Sequence, residues 1–382
     1  MSPGRMLVTL TALVLLSFGL GSVHAFSVLV DPLVARYGAS VTSVSAIYSL
    51  ALVSITAMVS FGHLFYARAR SAGIVAILSL IAVGGALLAG HGGSLVWVWL
   101  GYGVLFGAAN GAGYGYSLQL AAQIAPGREG LAMGVITAAY AVGAMLFPLV
   151  YDASLTSGGL TQAMNVLALA LACIGAASVA LLVRTGARFM PAASASGAPT
   201  GVARRHVIVL WTAYGAAVFA GLMAMGHAVG IARTLGMAES LLVVAPVVVA
   251  CCNMVGSLTG GWLTDRISPR HLLTALPIGS AMALAVMASG VPLPLLVSLG
   301  IIGFVYGAVI SAYPAAIARR FGVASGVPVY GKVFTAWAVA GICGPMLAGA
   351  MFDLTGSFRY ALILAAGLSG ISAVIAARSR AL

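Results

Sequence analysis

Apolar residues run through this chain in long, nearly unbroken stretches. Met6 to Val30 is one of them, hydrophobic all round and not along a single stripe. That pattern predicts membrane-crossing helices, because about 20 residues at about 1.5 Å each span the hydrocarbon core. A barrel is excluded, since its strands alternate apolar and polar over ~10 residues. Arginines, glycines and prolines punctuate the pattern into twelve predicted spans, near 6–30, 44–66, 71–90, 95–124, 130–151, 160–183, 206–231, 240–263, 271–290, 294–318, 325–352 and 358–377. The longest polar break runs from Arg184 to Arg205, and its middle, from Pro191 to Pro199, has the composition of a flexible linker. The expected organisation is an N-terminal six-helix bundle over 1–184, a linker over 185–205 and a C-terminal six-helix bundle over 206–382.

Composition agrees. Of 382 residues 62% are hydrophobic and 6% charged, against about 25% charged in soluble domains. The net charge of +12 would suggest nucleic acid in a soluble protein, but here the arginines lie between hydrophobic segments and mark topology, so no nucleic-acid partner is expected. With the N-terminus in the cytoplasm, Arg5, Arg68, Arg70, Arg128, Arg184, Arg188, Arg204, Arg205, Arg266, Arg270, Arg319, Arg320, Arg378 and Arg380 share its side, and only Arg36, Arg233 and Arg359 face the other. Both termini and the linker are therefore expected in the cytoplasm, with the protein in a bacterial inner membrane. The first segment continues into Asp31-Pro32 without a small-residue cleavage site, which predicts a retained helix. The four cysteines lie inside apolar segments and imply neither a disulfide framework nor a metal cluster.

The halves resemble one another. Gly134, Tyr140, Ala141, Val142 and Pro148 match Gly331, Trp337, Ala338, Val339 and Pro345, each pair 197 positions apart. Gly103 and Gly107 match Gly303 and Gly307 at an offset of 200, and His24-Ala25 matches His227-Ala228 at 203. Three ordered pairs at nearly constant offset indicate an internal repeat.

Two six-helix halves joined by a basic linker resemble the major facilitator superfamily of secondary transporters. The loop after the eighth span, Gly261-Trp-Leu-Thr-Asp265-Arg266-Ile-Ser-Pro-Arg270, resembles that superfamily's signature, G-x-x-x-D-R-x-G-R-R. The resemblance implies a gating ion pair that closes one side of the carrier and releases during rocking. The first-half counterpart keeps Gly62, Arg68 and Arg70 but has Tyr66 in place of the aspartate, so a weaker latch is expected there. Within the superfamily the chain resembles the oxalate/formate antiporter and monocarboxylate porter group. The residues concerned are Phe26-Ser-Val-Leu-Val-Asp-Pro32-Leu-Val-Ala-Arg-Tyr-Gly38, Gly111-Ala-Gly113-Tyr-Gly-Tyr116, Phe321-Gly322, Tyr330-Gly331-Lys332, Gly344-Pro345 and Asp353-Leu-Thr-Gly-Ser357. The resemblance implies the major facilitator fold: an all-α integral membrane protein of twelve transmembrane helices in two pseudo-symmetric six-helix bundles. One departure is Ser257, four residues after Asn253, where the group often carries an arginine. Without that second cation a dicarboxylate is disfavoured.

The candidate substrate-binding residues are Lys332, His24, His227, Tyr116, Asn253, Tyr306, Tyr330 and Trp337. Lys332 is the only lysine and lies inside the eleventh span, where an ammonium costs about 3 kcal/mol even on insertion scales and marks function. The alternative is a snorkelling lysine. His24 and His227, at repeat-related places, can each donate to a carboxylate, or can be buried and satisfied by a carbonyl. The tyrosines, the tryptophan and the asparagine can shape a cavity or pack helices. All six acids fall at helix ends or in loops, so a cavity with a lysine, two histidines and no acid favours anions and disfavours cationic drugs. No hydrolase or metalloprotease motif occurs, so no enzyme and no cofactor are expected. The expected function is a monomeric carrier in membrane lipid that moves small organic anions, most of all monocarboxylates, by alternating access, through exchange, uniport or proton coupling. The alternative is an exporter of amphipathic molecules in which Lys332 is structural.

Overall fold

The computed structural model describes residues 2–66, 68–126, 129–190, 204–290, 295–321 and 323–379; the surroundings of residues 63, 129–131, 261, 265, 318 and 323–328 lie outside that description. All regular structure among the described residues is helical. Helix α1 (Pro3–Leu20) tightens into a 3₁₀ stretch, Gly21–Val28, and is followed by α2 (Val30–Tyr37), α3 (Val41–Phe61), α4 (His63–Tyr66) and α5 (Ser71–His91). The short α6 (Leu95–Val98) widens into a π-helical stretch, Trp99–Phe106, before α7 (Gly107–Ile124) and α8 (Glu129–Thr185). Then come α9 (Arg204–Thr234), a 3₁₀ turn at Glu239–Leu241, α10 (Val244–Arg266), α11 (Pro269–Ser289), α12 (Leu295–Phe321), α13 (Val323–Thr355) and α14 (Arg359–Arg378).

Eleven stretches are long and apolar enough to cross a membrane, and one of them, Ala132–Thr185, has 54 residues. At about 1.5 Å per residue that is more than twice the hydrocarbon thickness. It breaks at Gly158 and at Gly159, whose φ of +68° suits only glycine, so the described residues make twelve crossings, as the hydrophobic pattern predicts. Two local features differ from the expectation. The stretch after the first span folds as α2, closed by Gly38 at φ +60°, and the fourth span changes winding twice, from α to π and back. Neither change of winding alters the apolar pattern, so neither is visible in it.

The chain divides into two compact units. Met1–Ala39 and Ala46–Ser194 form the first, and Ser40–Ser45 with Ala195–Leu382 form the second. The expected linker lies partly outside the described residues, over 191–203, but its beginning is bound to the first unit. The Ser71 amide donates to the Ala187 carbonyl, the Gln123 side chain pairs with both backbone groups of Met190, and Phe189 packs its ring on Tyr66 and Tyr116.

In each unit the repeated glycines mark a close helix crossing. A Cβ on Gly107 of α7 would meet the Ala51 Cα of α3 at 2.8 Å, and one on Gly307 of α12 would meet the Asn253 carbonyl of α10 at 2.0 Å. In lipid, where apolar burial gives helices no reason to associate, such approach supplies the packing. Helix ends are closed by arginines from neighbouring helices. Arg5 donates to the Thr185 carbonyl that ends α8, Arg270 to that of Ala377 in α14, and Arg319 to that of Thr264 in α10. Each supplies a cation and a donor to carbonyls left over at a helix C-terminus.

The Gly307 crossing generates a test. Gly307→Leu forces a side chain against a backbone carbonyl, and overpacking of this kind costs about 1–3 kcal/mol. Its melting temperature in detergent should fall by several degrees, whereas Gly84→Leu, where an added Cβ meets nothing within 4 Å, should melt with the native protein.

Candidate functional site

In the first unit, the change of winding at Gly21 organises a polar cluster. The carbonyls around it receive donors from outside α1: Asn110 Nδ2 donates to the Leu20 carbonyl at 2.5 Å, and the Tyr102 hydroxyl to that of Val23 at 3.2 Å. Asn110 is fully buried and uses both ends of its amide, since its Oδ1 accepts from the Tyr140 hydroxyl at 3.0 Å. Tyr140 turns its ring edge-on to His24, with centroids 5.5 Å apart. On the other side His24 Nδ1 lies 2.6 Å from the Tyr48 hydroxyl of α3. Tyr48 is itself buried and stacked on Phe26 at 5.4 Å with the rings 10° from parallel. His24 is half-buried, and its Nε2 has no hydrogen-bond partner among the described residues.

Tyr116 lies elsewhere in that unit, about 9 Å further along α7 than Asn110. It is fully buried, donates to Ser71 Oγ at 2.5 Å and packs against Tyr66 and Phe189. The structure does not bring it to His24. Gly62 sits under the Tyr66 ring, where a Cβ would meet the hydroxyl at 2.3 Å, and that hydroxyl donates to the Ala112 carbonyl. Arg68 is exposed.

In the second unit His227 interrupts α9 with φ −134° and ψ 16°. It is 1% exposed, and its Nε2 lies 2.9 Å from the Pro345 carbonyl of α13 and 3.1 Å from Ser45 Oγ. A carbonyl can only accept, so Nε2 carries the proton and His227 joins α9, α13 and the Ser40–Ser45 turn. The same turn is held by Asp353, whose carboxylate accepts from the Val41 amide at 2.9 Å and from the Thr42 amide and hydroxyl at 2.7 and 2.5 Å. This is an N-cap for α3 delivered from the end of α13. The repeat-related histidines thus diverge: His24 keeps a ring nitrogen open, and His227 spends its Nε2 on pinning.

The remaining residues of the second unit fall on two faces of α13. Trp337 Nε1 donates to the Tyr306 hydroxyl at 2.9 Å, and both are buried. Phe334 stacks on Trp337 at 5.7 Å and contacts Tyr330, whose ring meets Tyr214. Lys332 is about 140° around the helix from Trp337 at about 100° per residue, so the structure separates it from this aromatic row. Its neighbours are Thr335, which donates to the Lys332 carbonyl, and Trp211 of α9, which donates to Thr335 Oγ1 at 2.9 Å. Lys332 is exposed and makes no ion pair or side-chain hydrogen bond among the described residues. Asn253 accepts from Ser257 at 3.4 Å. Of the expected gating set, Arg266 stacks on Trp262 at 4.0 Å and Arg270 caps α14, while Gly261 and the Asp265 carboxylate lie outside the described surroundings.

Sequence reasoning passed over Tyr48, Trp211 and Thr335, which no motif marks, and Asp353 as a cap. Tyr140 was legible, as the repeat partner of Trp337.

Twelve crossings, two repeated halves and glycine-packed helix pairs define a membrane transporter fold. Residues 208–381, a little under half of the chain, match the family model described as Major Facilitator Superfamily. It is 27% identical over 357 residues to the uncharacterized MFS-type transporter YhjX of Escherichia coli (strain K12), covering 88% of this chain and 85% of that one. It is 25% identical over 256 residues to the oxalate:formate antiporter of Oxalobacter formigenes, covering 65% and 61%. Among solved structures, a bacterial homologue of the human lysosomal transporter Spinster, in an inward-facing and unoccupied conformation, superposes with a TM-score of 0.74 at 14% identity, over 98% of this chain and 97% of that one. The D-xylose-proton symporter follows at 0.70 and 14%, over 99% and 98%. These two likenesses concern the fold. The chain is a multi-pass integral membrane protein that shares the fold of these transporters.

The cap on α3 is open to test. Asp353→Ala removes the acceptor of the Val41 and Thr42 amides and leaves only Ser40 Oγ, on the Ser43 amide, as a side-chain cap; loss of an N-cap costs about 0.5–2 kcal/mol. A lower melting temperature is expected, with Leu354→Ala, 85% exposed, unchanged.

Proposed function

We propose that the protein carries small organic anions, monocarboxylates above all, across the membrane by alternating access, as an exchanger or uniporter. The observation that carries this reading is Lys332: the only lysine of the chain, inside α13 (Val323–Thr355), exposed and without an ion-pair partner among the described residues. A fixed ammonium in an apolar helix attracts an anionic ligand, because the alternative is an uncompensated charge. Trp211 and Thr335, joined to each other beside it, offer further polar contact. Two of the acids are engaged elsewhere: Asp353 caps α3 and Glu239 forms a two-bond pair with Arg233 at 2.8 and 3.0 Å. In the first unit His24 offers an open nitrogen to a carboxylate. The likeness to a protein named as an oxalate:formate antiporter supports small carboxylates as the class, and the missing arginine at Ser257 favours one carboxylate over two. Exchange fits best, since a cationic site that is unfavourable when empty reorients most readily when loaded.

A second reading, export of amphipathic molecules, keeps Lys332 structural, with its long stem running along the helix toward the interface. Counterflow in proteoliposomes loaded with lactate, pyruvate, formate, glycolate, oxalate or malonate separates the two. Loss of a hydrogen bond to a charged group is worth about 1.5–3 kcal/mol, so Lys332→Gln should slow exchange at least about tenfold. Exchange that survives the substitution moves the exporter reading ahead. We also propose a cytoplasmic position for both termini in a bacterial inner membrane, supported by the arginine asymmetry. One chain holds both halves, so a monomer is complete. A green fluorescent protein fused after Leu382 should fluoresce, and alkaline phosphatase at the same place should be inactive.

A further inference from the structure

We propose that Tyr48 is the positioning residue that fixes His24 with its proton on Nε2, so that the first unit presents a neutral hydrogen-bond donor selective for ionised carboxylates. The consequence for transport rests on the anion-carrier reading; the proton assignment does not.

Three observations carry it. The His24 Nδ1 to Tyr48 hydroxyl distance of 2.6 Å is that of a strong hydrogen bond. A phenol is the stronger acid of the two groups and an imidazole nitrogen the stronger base, so the proton belongs to Tyr48 and is donated into Nδ1. Neutral histidine then carries its own proton on Nε2, the atom with no partner among the described residues, on a half-buried ring. Finally, the ring is held against reversal, with Tyr140 edge-on at 5.5 Å and Tyr48 edge-on at 6.1 Å, both at 78°. Tyr48 is anchored by its stack on Phe26, and Tyr140 by its bond to Asn110.

The titratable groups around His24 are phenols: Tyr48 from α3, Tyr140 from α8, Tyr102 from the π stretch through the Val23 carbonyl, and Tyr114 of α7 behind Tyr140 at 4.7 Å. No carboxylate or guanidinium bonds to His24 among the described residues. The donor at Nε2 therefore exists at neutral pH without a charge on the ring. A group that only donates discriminates by acceptor strength, and a carboxylate accepts more strongly than its protonated acid. His227, with Nε2 already bonded to Pro345, cannot play the same part.

The direct test is nitrogen-15 NMR of histidine-labelled protein in nanodiscs at about pH 8, above the ordinary histidine range of about 6.5, with His24 assigned by the signal lost in His24→Gln. The native protein should show an unprotonated Nδ1 and a protonated Nε2, and Tyr48→Phe, which keeps the ring and its stack, should show mixed protonation. A native spectrum with the proton on Nδ1 overturns the proposal whether or not Tyr48→Phe folds, and so does a Tyr48→Phe spectrum identical to the native one. In counterflow, Tyr48→Phe should lose about fivefold in rate at about pH 7.5, the worth of one neutral hydrogen bond. His24→Gln should lose at least as much, and adding Tyr48→Phe to it should cost nothing further, because the two residues act through one hydrogen bond. A Tyr48→Phe loss that persists in full on the His24→Gln background indicates a packing defect and counts against the proposal. A native protein with the assigned protonation that exchanges none of the acids refutes the anion reading and leaves the proton assignment standing.

Discussion

Inside a bilayer no water stands by to bond a backbone group that loses its helical partner, and this constraint organises the whole molecule. Several of the places where a helix begins, tightens or ends are met by a side chain from another helix. Where α1 tightens at Gly21, Asn110 and Tyr102 reach in; where α8, α10 and α14 end, Arg5, Arg319 and Arg270 do so; where α3 begins, Asp353 supplies the acceptor. Scarce polar residues are therefore concentrated at helix irregularities. On the anion-carrier reading, an irregularity is also where backbone lines a cavity, so structural need and the proposed ligand chemistry fall on the same residues.

The internal repeat shows how far two halves can part while keeping one architecture. The glycine crossings at Gly107 and Gly307 are retained because a side chain there would strike a neighbouring backbone. The aromatic residues Tyr140 and Trp337 both donate to a partner on the helix preceding theirs, Asn110 in one unit and Tyr306 in the other. The histidines, which pack no crossing, have separated: one braced by phenols with an open edge, the other locked to a carbonyl.

Sequence shows most plainly what physics repeats over long stretches. Twelve spans follow from apolar runs, and the close crossings from glycines at a constant offset. Changes of winding leave no such trace: the apolar pattern of Gly21–Val28 and of Trp99–Phe106 is compatible with α, 3₁₀ or π geometry alike. For the site, Lys332 stood out because a lone ammonium in an apolar helix is conspicuous. Tyr48 and Trp211 did not, because an aromatic residue in a membrane helix is commonplace and only its neighbours distinguish it. Tyr116 lies in a glycine-rich stretch that resembles the porter group, yet the residue that takes its hydroxyl, Ser71, is distant in sequence and unmarked. Asp353 was visible as an acid beyond a helix, but its partner lies 312 positions away.

The bound segment after α8 changes what counts as the connector between the halves. Because Ala187, Phe189 and Met190 belong to the packing of the first unit, that unit extends to Met190 and does not stop at Thr185. An insertion or deletion between Thr185 and Met190 therefore pulls Phe189 away from Tyr66 and Tyr116, and becomes a lesion in a folded domain.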